Sequence, residues 1–323
     1  MGFSLMTVRR VCRRVMALCG ALAALAAGGV LAAGCAGGPG ARRVEPAGSE
    51  LLTARLCEVA SRAPGTVGVA LVTPDDTVTV NNGVRFAMMS VFKLHEALAV
   101  GDALRQRGAS FDSVMRVLAA ELDPHTWSPM LKERGEGDFD ISVGELVRYA
   151  LVSSDNNASN LLFSHVVSPA ATDRFLKSVA ADTAFAIRYS EAEMKREPEL
   201  SYLNYSSPLA AACLIRQVFT TDILPAPSLE AVREALAVVT TGADRLGAAV
   251  AGKEGVLFAH KTGSGYRNGR GELMAFNDVA YVRLPDGRDY ALAVMIRDFR
   301  GSEEEAAAVM AEVSRVVYDH MSR

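Results

Sequence analysis

Cysteine and aromatic residues are sparse in this chain of 323 residues, which has five Cys and only 7% Phe, Trp and Tyr, with a single Trp. Nor is there any surplus of basic charge: 34 Lys and Arg stand against 37 Asp and Glu, a net charge of −3. So few cysteines over this length exclude a small fold held together by disulfides. The missing cationic excess argues against nucleic acid as a partner, since phosphate neutralisation needs basic surface. The five histidines, His95, His125, His165, His260 and His320, include no close pair at metal-ligand spacing. A zinc-type hydrolase is therefore disfavoured, and neither a metal nor another cofactor is expected. No internal repeat is visible. Glycine and proline stay near ordinary usage, which excludes collagen-like and low-complexity chains.

What the chain has in quantity is apolar material, half of all residues, enough for a large core. The N-terminus reads differently from the rest. Arg9, Arg10, Arg13 and Arg14 precede an apolar run from Val15 to Ala33, the pattern of an export signal, with an uncleaved anchor as the rival reading. Leu31-Ala32-Ala33-Gly34-Cys35 then resembles a bacterial lipobox, which implies lipidation of Cys35, with ordinary cleavage as the alternative. Removing residues 1–34 would leave 289 residues with net charge −7, followed from the new start by a Gly/Pro/Ala-rich tether over 35–46. Periplasmic export, with the membrane touched only through Cys35, is the expectation. Beyond the leader only Cys57 and Cys213 remain; both lie in apolar helical contexts and read as buried thiols rather than as a pair.

Residues 47–62 read as an amphipathic helix, and Val67–Val72 and Thr77–Val80 as two strands. From Ser90 to Leu236 the pattern is mostly helical, broken at Asp123-Pro124, Arg134–Asp138 and Pro198. Strand character returns at Val256–His260 and in a pair, Asn277–Leu284 and Asp289–Ile296, around Pro285-Asp286-Gly287. Ser302–Met321 closes the chain as an amphipathic helix. That order predicts an α/β fold: an antiparallel sheet flanked by terminal helices (47–89 and 237–323) with an inserted all-helical lobe (90–236) and a ligand cleft between them.

Three short motifs occur in one order: Ser90-Val91-Phe92-Lys93, Ser154-Asp155-Asn156 and Lys261-Thr262-Gly263, spaced by 64 and 107 residues. Each alone is a common accident of surface helices, caps and turns. Together they carry a chemistry. A serine hydroxyl needs an adjacent base to become a nucleophile, and positions i and i+3 of a helix share a face, which puts Lys93 under Ser90. Lysine serves as a base only where its charged form is disfavoured, for example by a nearby cation such as Lys261. A helix start at Ser90 also offers a backbone N–H to a developing oxyanion.

The trio in this order resembles class A serine β-lactamases over essentially the whole mature length. The resemblance implies a monomeric enzyme that opens the β-lactam ring of small-molecule antibiotics, cephalosporins and penicillins, through a serine acyl-enzyme. It implies Ser154 as the bridge to the departing nitrogen, Asn156 as holder of the substrate amide, and Lys261, Thr262 and Ser264 as the substrate-binding strand. The amide of Ser264 would be the second oxyanion donor. Trp127-Ser128-Pro129 resembles the family's cleft wall, and Thr241-Gly242…Arg245-Leu246 its segment before the last strands. Arg270 falls where the family often keeps a carboxylate-binding arginine, with Arg267 as competitor. For the carboxylate that activates the deacylating water, Glu191 lies 35 residues after Asn156, near the family's gap, and Glu197 lies 41. Glu191, with Asn204-Tyr205-Ser206-Ser207-Pro208 behind it, fits the subgroup with an enlarged loop. Lys195 then occupies the place of the family's water-holding Asn, and no Arg stands two positions before Glu191, so neither the water site nor the loop's ion pair follows the family pattern. The same trio also serves penicillin-binding peptidases, which lack that carboxylate, and a non-catalytic relative of the fold would share it too.

Overall fold

The computed structural model describes residues 48–323; the leader, Cys35 and the tether through residue 46 lie outside the described residues. Helix α1 (Gly48–Arg62) leads into strand β1 (Thr66–Val72) and β2 (Thr77–Val80). The C-terminal part supplies β8 (Leu257–Ser264), β9 (Leu273–Arg283), β10 (Asp289–Phe299) and helix α11 (Glu303–Met321), preceded by the short α10 (Gly247–Val250). These strands form one antiparallel sheet in the order β2-β1-β10-β9-β8. Alternation in β1 explains its two faces. Val67, Val69 and Leu71 point toward α1 and α11, joined by Leu292, Val294 and Ile296 of β10 and by Met310, Val313 and Val317 of α11. The opposite face carries Gly68 and Ala70 beside Ala291 and Ala293. Small residues are needed there: a Cβ on Gly68 would come within 2.7 Å of Pro208 and closer still to Phe86.

That thin face receives the helical block. It comprises α2 (Phe92–Gln106), α3 (Pro129–Arg134), α4 (Val143–Val152), α5 (Asn156–His165), α6 (Pro169–Val179), α7 (Glu191–Arg196), α8 (Pro208–Thr220) and α9 (Ala226–Ala237). Helix α8 packs directly on β1, β9 and β10. Helix α2 is buried almost all round, from Phe92 through Asp102, as a core helix must be. The fold class matches the sequence expectation. The structure adds β3 (Phe86–Ala87), β6 (Phe185–Ala186) and β7 (Tyr205–Ser206) in a small sheet, and pairs β4 (Val114–Val117) with β5 (Phe139–Ser142). Strands of two to four residues carry too little alternation to show within a helical pattern. Strand β8 also runs on past His260 to Ser264, and β9 begins at Leu273 rather than Asn277. No disulfide joins Cys57 and Cys213, and both are half-buried rather than buried; partial burial pushes the pKa of Cys213, in α8, up to about 11. Among the described residues no helix is long and apolar enough to cross a membrane.

Candidate active site

Ser90 lies in a single 3-10 turn, Met89–Val91, that runs straight into α2. The turn is held in an uncommon backbone conformation, with Met89 at φ 45°. Asn277 of β9 pins it by donating from Nδ2 to the carbonyls of Ala87 (2.8 Å) and Met88 (3.0 Å). Gly263 of β8 lies so close that an added Cβ would sit 2.4 Å from the Met88 carbonyl oxygen and 3.2 Å from the Ser90 amide nitrogen. Glycine therefore lets the strand edge run against the serine turn.

Lys93, one turn along, has no exposed surface, and its Nζ donates to Ser90 Oγ (3.1 Å), the Ser154 carbonyl (2.8 Å) and Asn156 Oδ1 (2.6 Å). The motif Ser154-Asp155-Asn156 spans the corner between α4 and α5. Asp155 caps α5 through the Ala158 amide and ties Ser128 and the Met130 amide to the corner. Burial raises its pKa above the ordinary carboxylate value, against those hydrogen bonds. Ser154 is held at φ 58°, and its hydroxyl accepts from Lys261 Nζ at 3.0 Å. Lys261 also donates to the Thr262 carbonyl (3.1 Å). Its pKa is driven well below the usual lysine value, first by complete burial and next by the charge of Lys93. The repulsion between the two ammonium groups acts on Lys261.

Glu191 is buried at the first position of α7, behind the N-cap Ser190. Its Oε1 accepts from Ser90 Oγ at 3.1 Å and faces Lys93 Nζ at 3.0 Å. Glu197, the rival carboxylate, is exposed at the C-terminal end of α7. Ser90, Lys93, Ser154, Asn156, Glu191 and Lys261 thus form one contiguous cluster drawn from four distant stretches of chain.

Of the other expected binding residues, Trp127, Thr262 and Ser264 adjoin the cluster through the chain beside residues 153–156 and Lys261. Trp127 is about half exposed (54%), its indole donating to the Ser153 carbonyl and its own carbonyl accepting from the Asn156 amide. Thr262 shares a hydroxyl contact with Thr241 (2.6 Å). The exposed Ser264 accepts at 2.6 Å from Arg245. Asn156 has its carbonyl oxygen engaged by Lys93, while its amide nitrogen donates to Thr126 Oγ1 (3.0 Å). Arg270 is not brought to the cluster: its side chain is 70% exposed and ion-paired with Glu272 (2.6 Å). Arg267 donates instead to the carbonyls of Gly271 and Gly301. The arginine that reaches the β8 strand is Arg245, buried against the Phe276 ring (3.6 Å to its centroid) and bonded to the Asn277 carbonyl. Burial lowers its pKa from the usual value. The sequence singles out Thr241-Gly242…Arg245 without assigning this contact, because a buried arginine looks like any other by letter.

His260 lies on the opposite face of β8 from Lys261, paired with Asp278 (2.9 Å). No His/Cys/Asp/Glu cluster able to hold a metal occurs among the described residues. Two asparagines, one of them the Asn204 of the segment behind Glu191, have contacts that the sequence does not show. Asn204, wholly buried, closes the loop that carries Glu191: its Oδ1 accepts from the amides of Arg188 and Tyr189, and its Nδ2 donates to the Tyr189 carbonyl. It does there what an ion pair across the loop would do. Asn160 of α5 accepts from the Ala192 amide (3.0 Å) and fixes the start of α7.

A half-buried serine joined to a buried lysine and carboxylate, beside a strand edge, is the equipment of a serine acyl-transfer hydrolase. The comparisons agree with that class. The model of the β-lactamase enzyme family matches residues 51–321. A β-lactamase of Phocaeicola vulgatus is 42% identical over 271 residues, covering 84% of each chain. The extended-spectrum β-lactamase PER-1 of Pseudomonas aeruginosa is 32% identical, over 84% of this chain and 87% of its own. Among solved structures, a class A β-lactamase of Bacteroides cellulosilyticus superposes with a TM-score of 0.81 at 28% identity, covering 86% of this chain and 99% of its own. The chain belongs to the β-lactamase enzyme family and is a class A serine β-lactamase, an enzyme that hydrolyses β-lactam antibiotics and so confers resistance to them.

Proposed function

We propose that Ser90 is the nucleophile, Glu191 the base for the deacylating water, and Lys93, Ser154 and Lys261 the proton-handling groups around them. The observation that carries this assignment is the double approach to Ser90 Oγ, which donates to Glu191 Oε1 at 3.1 Å and accepts from Lys93 Nζ at 3.1 Å. On attack, the bond from Oγ to the lactam carbonyl carbon forms and the ring C–N bond breaks. Lys93, reacting as the free amine, takes the Ser90 proton, and the nitrogen takes a proton from the Ser154 hydroxyl, which Lys261 resupplies. The proton taken up by Lys93 then replaces the one that Lys261 gave to Ser154, so both lysines are reset and Glu191 is left unprotonated as a base. A water gives its proton to Glu191, attacks the acyl carbon, and Ser90 leaves with that proton. The Ser90 and Ser264 amides serve the oxyanion. Arg245, rather than Arg270, is the cation placed to act through Ser264 on a substrate carboxylate. Thr262, Asn156 and Trp127 line the substrate's path.

The substrates in this reading are cephalosporins and penicillins, a scope supported by relatives and neighbours named as extended-spectrum enzymes. The cationic start and apolar run support export to the periplasm with residues 1–34 removed, and Leu31-Ala32-Ala33-Gly34-Cys35 supports lipidation of Cys35. Turnover of a chromogenic cephalosporin tests the assignment. Ser90→Ala abolishes it, and Glu191→Gln accumulates a covalent adduct in intact mass spectra, whereas Glu197→Gln does neither. An adduct that builds up in Glu197→Gln instead overturns the choice of carboxylate.

A further inference from the structure

Lys195 stands four residues after Glu191 on α7, so the two side chains share a helix face. Its Nζ does not enter the serine cluster. It meets Asp123 Oδ2 at 2.5 Å, across from α7 on the segment that leads to Trp127. Asp123 is itself fixed: its amide donates to Asn157 Oδ1 (2.9 Å), its carbonyl accepts from Asn157 Nδ2 (3.0 Å), and its other carboxylate oxygen accepts from the His125 amide. Asn157 is buried and directly follows Asn156, which holds Lys93. The contacts close into a ring: Glu191, Lys93, Asn156, Asn157, Asp123, Lys195, and back to Glu191 through one turn of α7.

We infer that the Lys195–Asp123 pair is a clasp that sets the position of Glu191 for deacylation. Lys195 and Asp123 are positioning residues acting through that carboxylate. Helix α7 has only six residues and cannot hold its own geometry. Its first turn is secured by Ser190 and by Asn160. The clasp secures its last turn, where a cation also suits the helix dipole. Both side chains are about one-third exposed, 35% and 39%, so the pair adds little to global stability. What it governs is geometry at a reacting centre, where a displacement near an ångström is costly. Formation of the acyl-enzyme depends on Ser90 and on Lys93, which keeps its bonds to the Ser154 carbonyl and Asn156 when α7 shifts. Breakdown depends on where Glu191 holds a water. The clasp therefore acts on the second step.

This inference rests on Glu191 as the deacylating base, and the experiment separates the two. Rapid-quench intact mass spectrometry of the enzyme with a chromogenic cephalosporin gives acyl-enzyme formation and breakdown rates separately. Lys195→Met and Asp123→Asn each slow breakdown about tenfold, with formation changed less than about twofold. The double variant is no slower than either single one, because both remove the same contact, and Lys195→Arg keeps the breakdown rate. In the unaltered enzyme, raising salt to about 1 M screens the pair and slows breakdown selectively. Equal losses in both steps, additive losses in the double variant, or breakdown insensitive to variant and salt overturn the clasp. Glu191→Gln run alongside fixes the blame: an adduct there with normal breakdown in Lys195→Met refutes the clasp alone, and no adduct there refutes the role given to Glu191.

Discussion

Glu96 lies one turn beyond Lys93 on α2, fully buried, with neither carboxyl oxygen in a well-formed hydrogen bond. Burial holds its pKa well above the ordinary 4.5; Ser159 and Lys93 nearby pull it down, and the charge of Glu191 pushes it further up. An unfolded chain ionises this group above about 4.5, while the folded one keeps it protonated, so folding takes up a proton. Stability from that protonation is complete below the unfolded value and is lost as pH rises toward the folded one. Glu96→Gln removes the dependence. The variant gains on the parent as pH rises above about 4.5, by up to about 1.4 kcal/mol per pH unit, in thermal or urea melts at matched pH. A difference that stays flat with pH shows Glu96 ionised in the folded enzyme. At this scale the sequence was uneven. Ser90, Lys93, Ser154 and Lys261 stood out because they recur as ordered words. Glu96, the hydrogen bonds of Asn204 and the contact made by Arg245 did not, because a polar letter in a helix or loop reads as solvent-facing until packing is known.

Among the elements, the segment carrying Glu191 depends most on side chains for its shape. From Arg188 to Asn204 it contains the six-residue α7 and a 3-10 stretch, Pro198–Leu203, neither long enough to be stable alone. Asn204 supplies the buckle, while Tyr202 ties the segment to Asp298 at the end of β10. Asn204→Ala strands the amides of Arg188 and Tyr189 and costs about 1–3 kcal/mol. Amide hydrogen exchange accelerates through residues 188–196 while β8–β10 stay protected. Unchanged exchange there means that the loop holds without its buckle. Elements with strong periodicity, such as α1, α11 and the β9–β10 hairpin, were legible with small errors at their ends. The short strands and the extension of β8 to Ser264 were not, since tertiary pairing alone makes them strands.

For the molecule as a whole, sheet order decides everything about the site. Strand β1 of the N-terminal part pairs with β10 of the C-terminal part, and β8 with Lys261 ends up at the edge beside the serine turn. The order of the three motifs could be read along the chain, whereas their meeting depends on long-range pairing that no local pattern encodes. The clustering matters because the hydroxyl of Ser90 must lie between a donor and an acceptor that the chain places 3 and 101 residues away. The most direct test is a crystal structure of Glu191→Gln soaked with a cephalosporin. The account predicts unbroken density from Ser90 Oγ to the carbonyl carbon of an opened ring, its oxygen facing the Ser90 and Ser264 amides. Density joined to any other side chain, or an intact ring lying unbonded in the cleft, contradicts it.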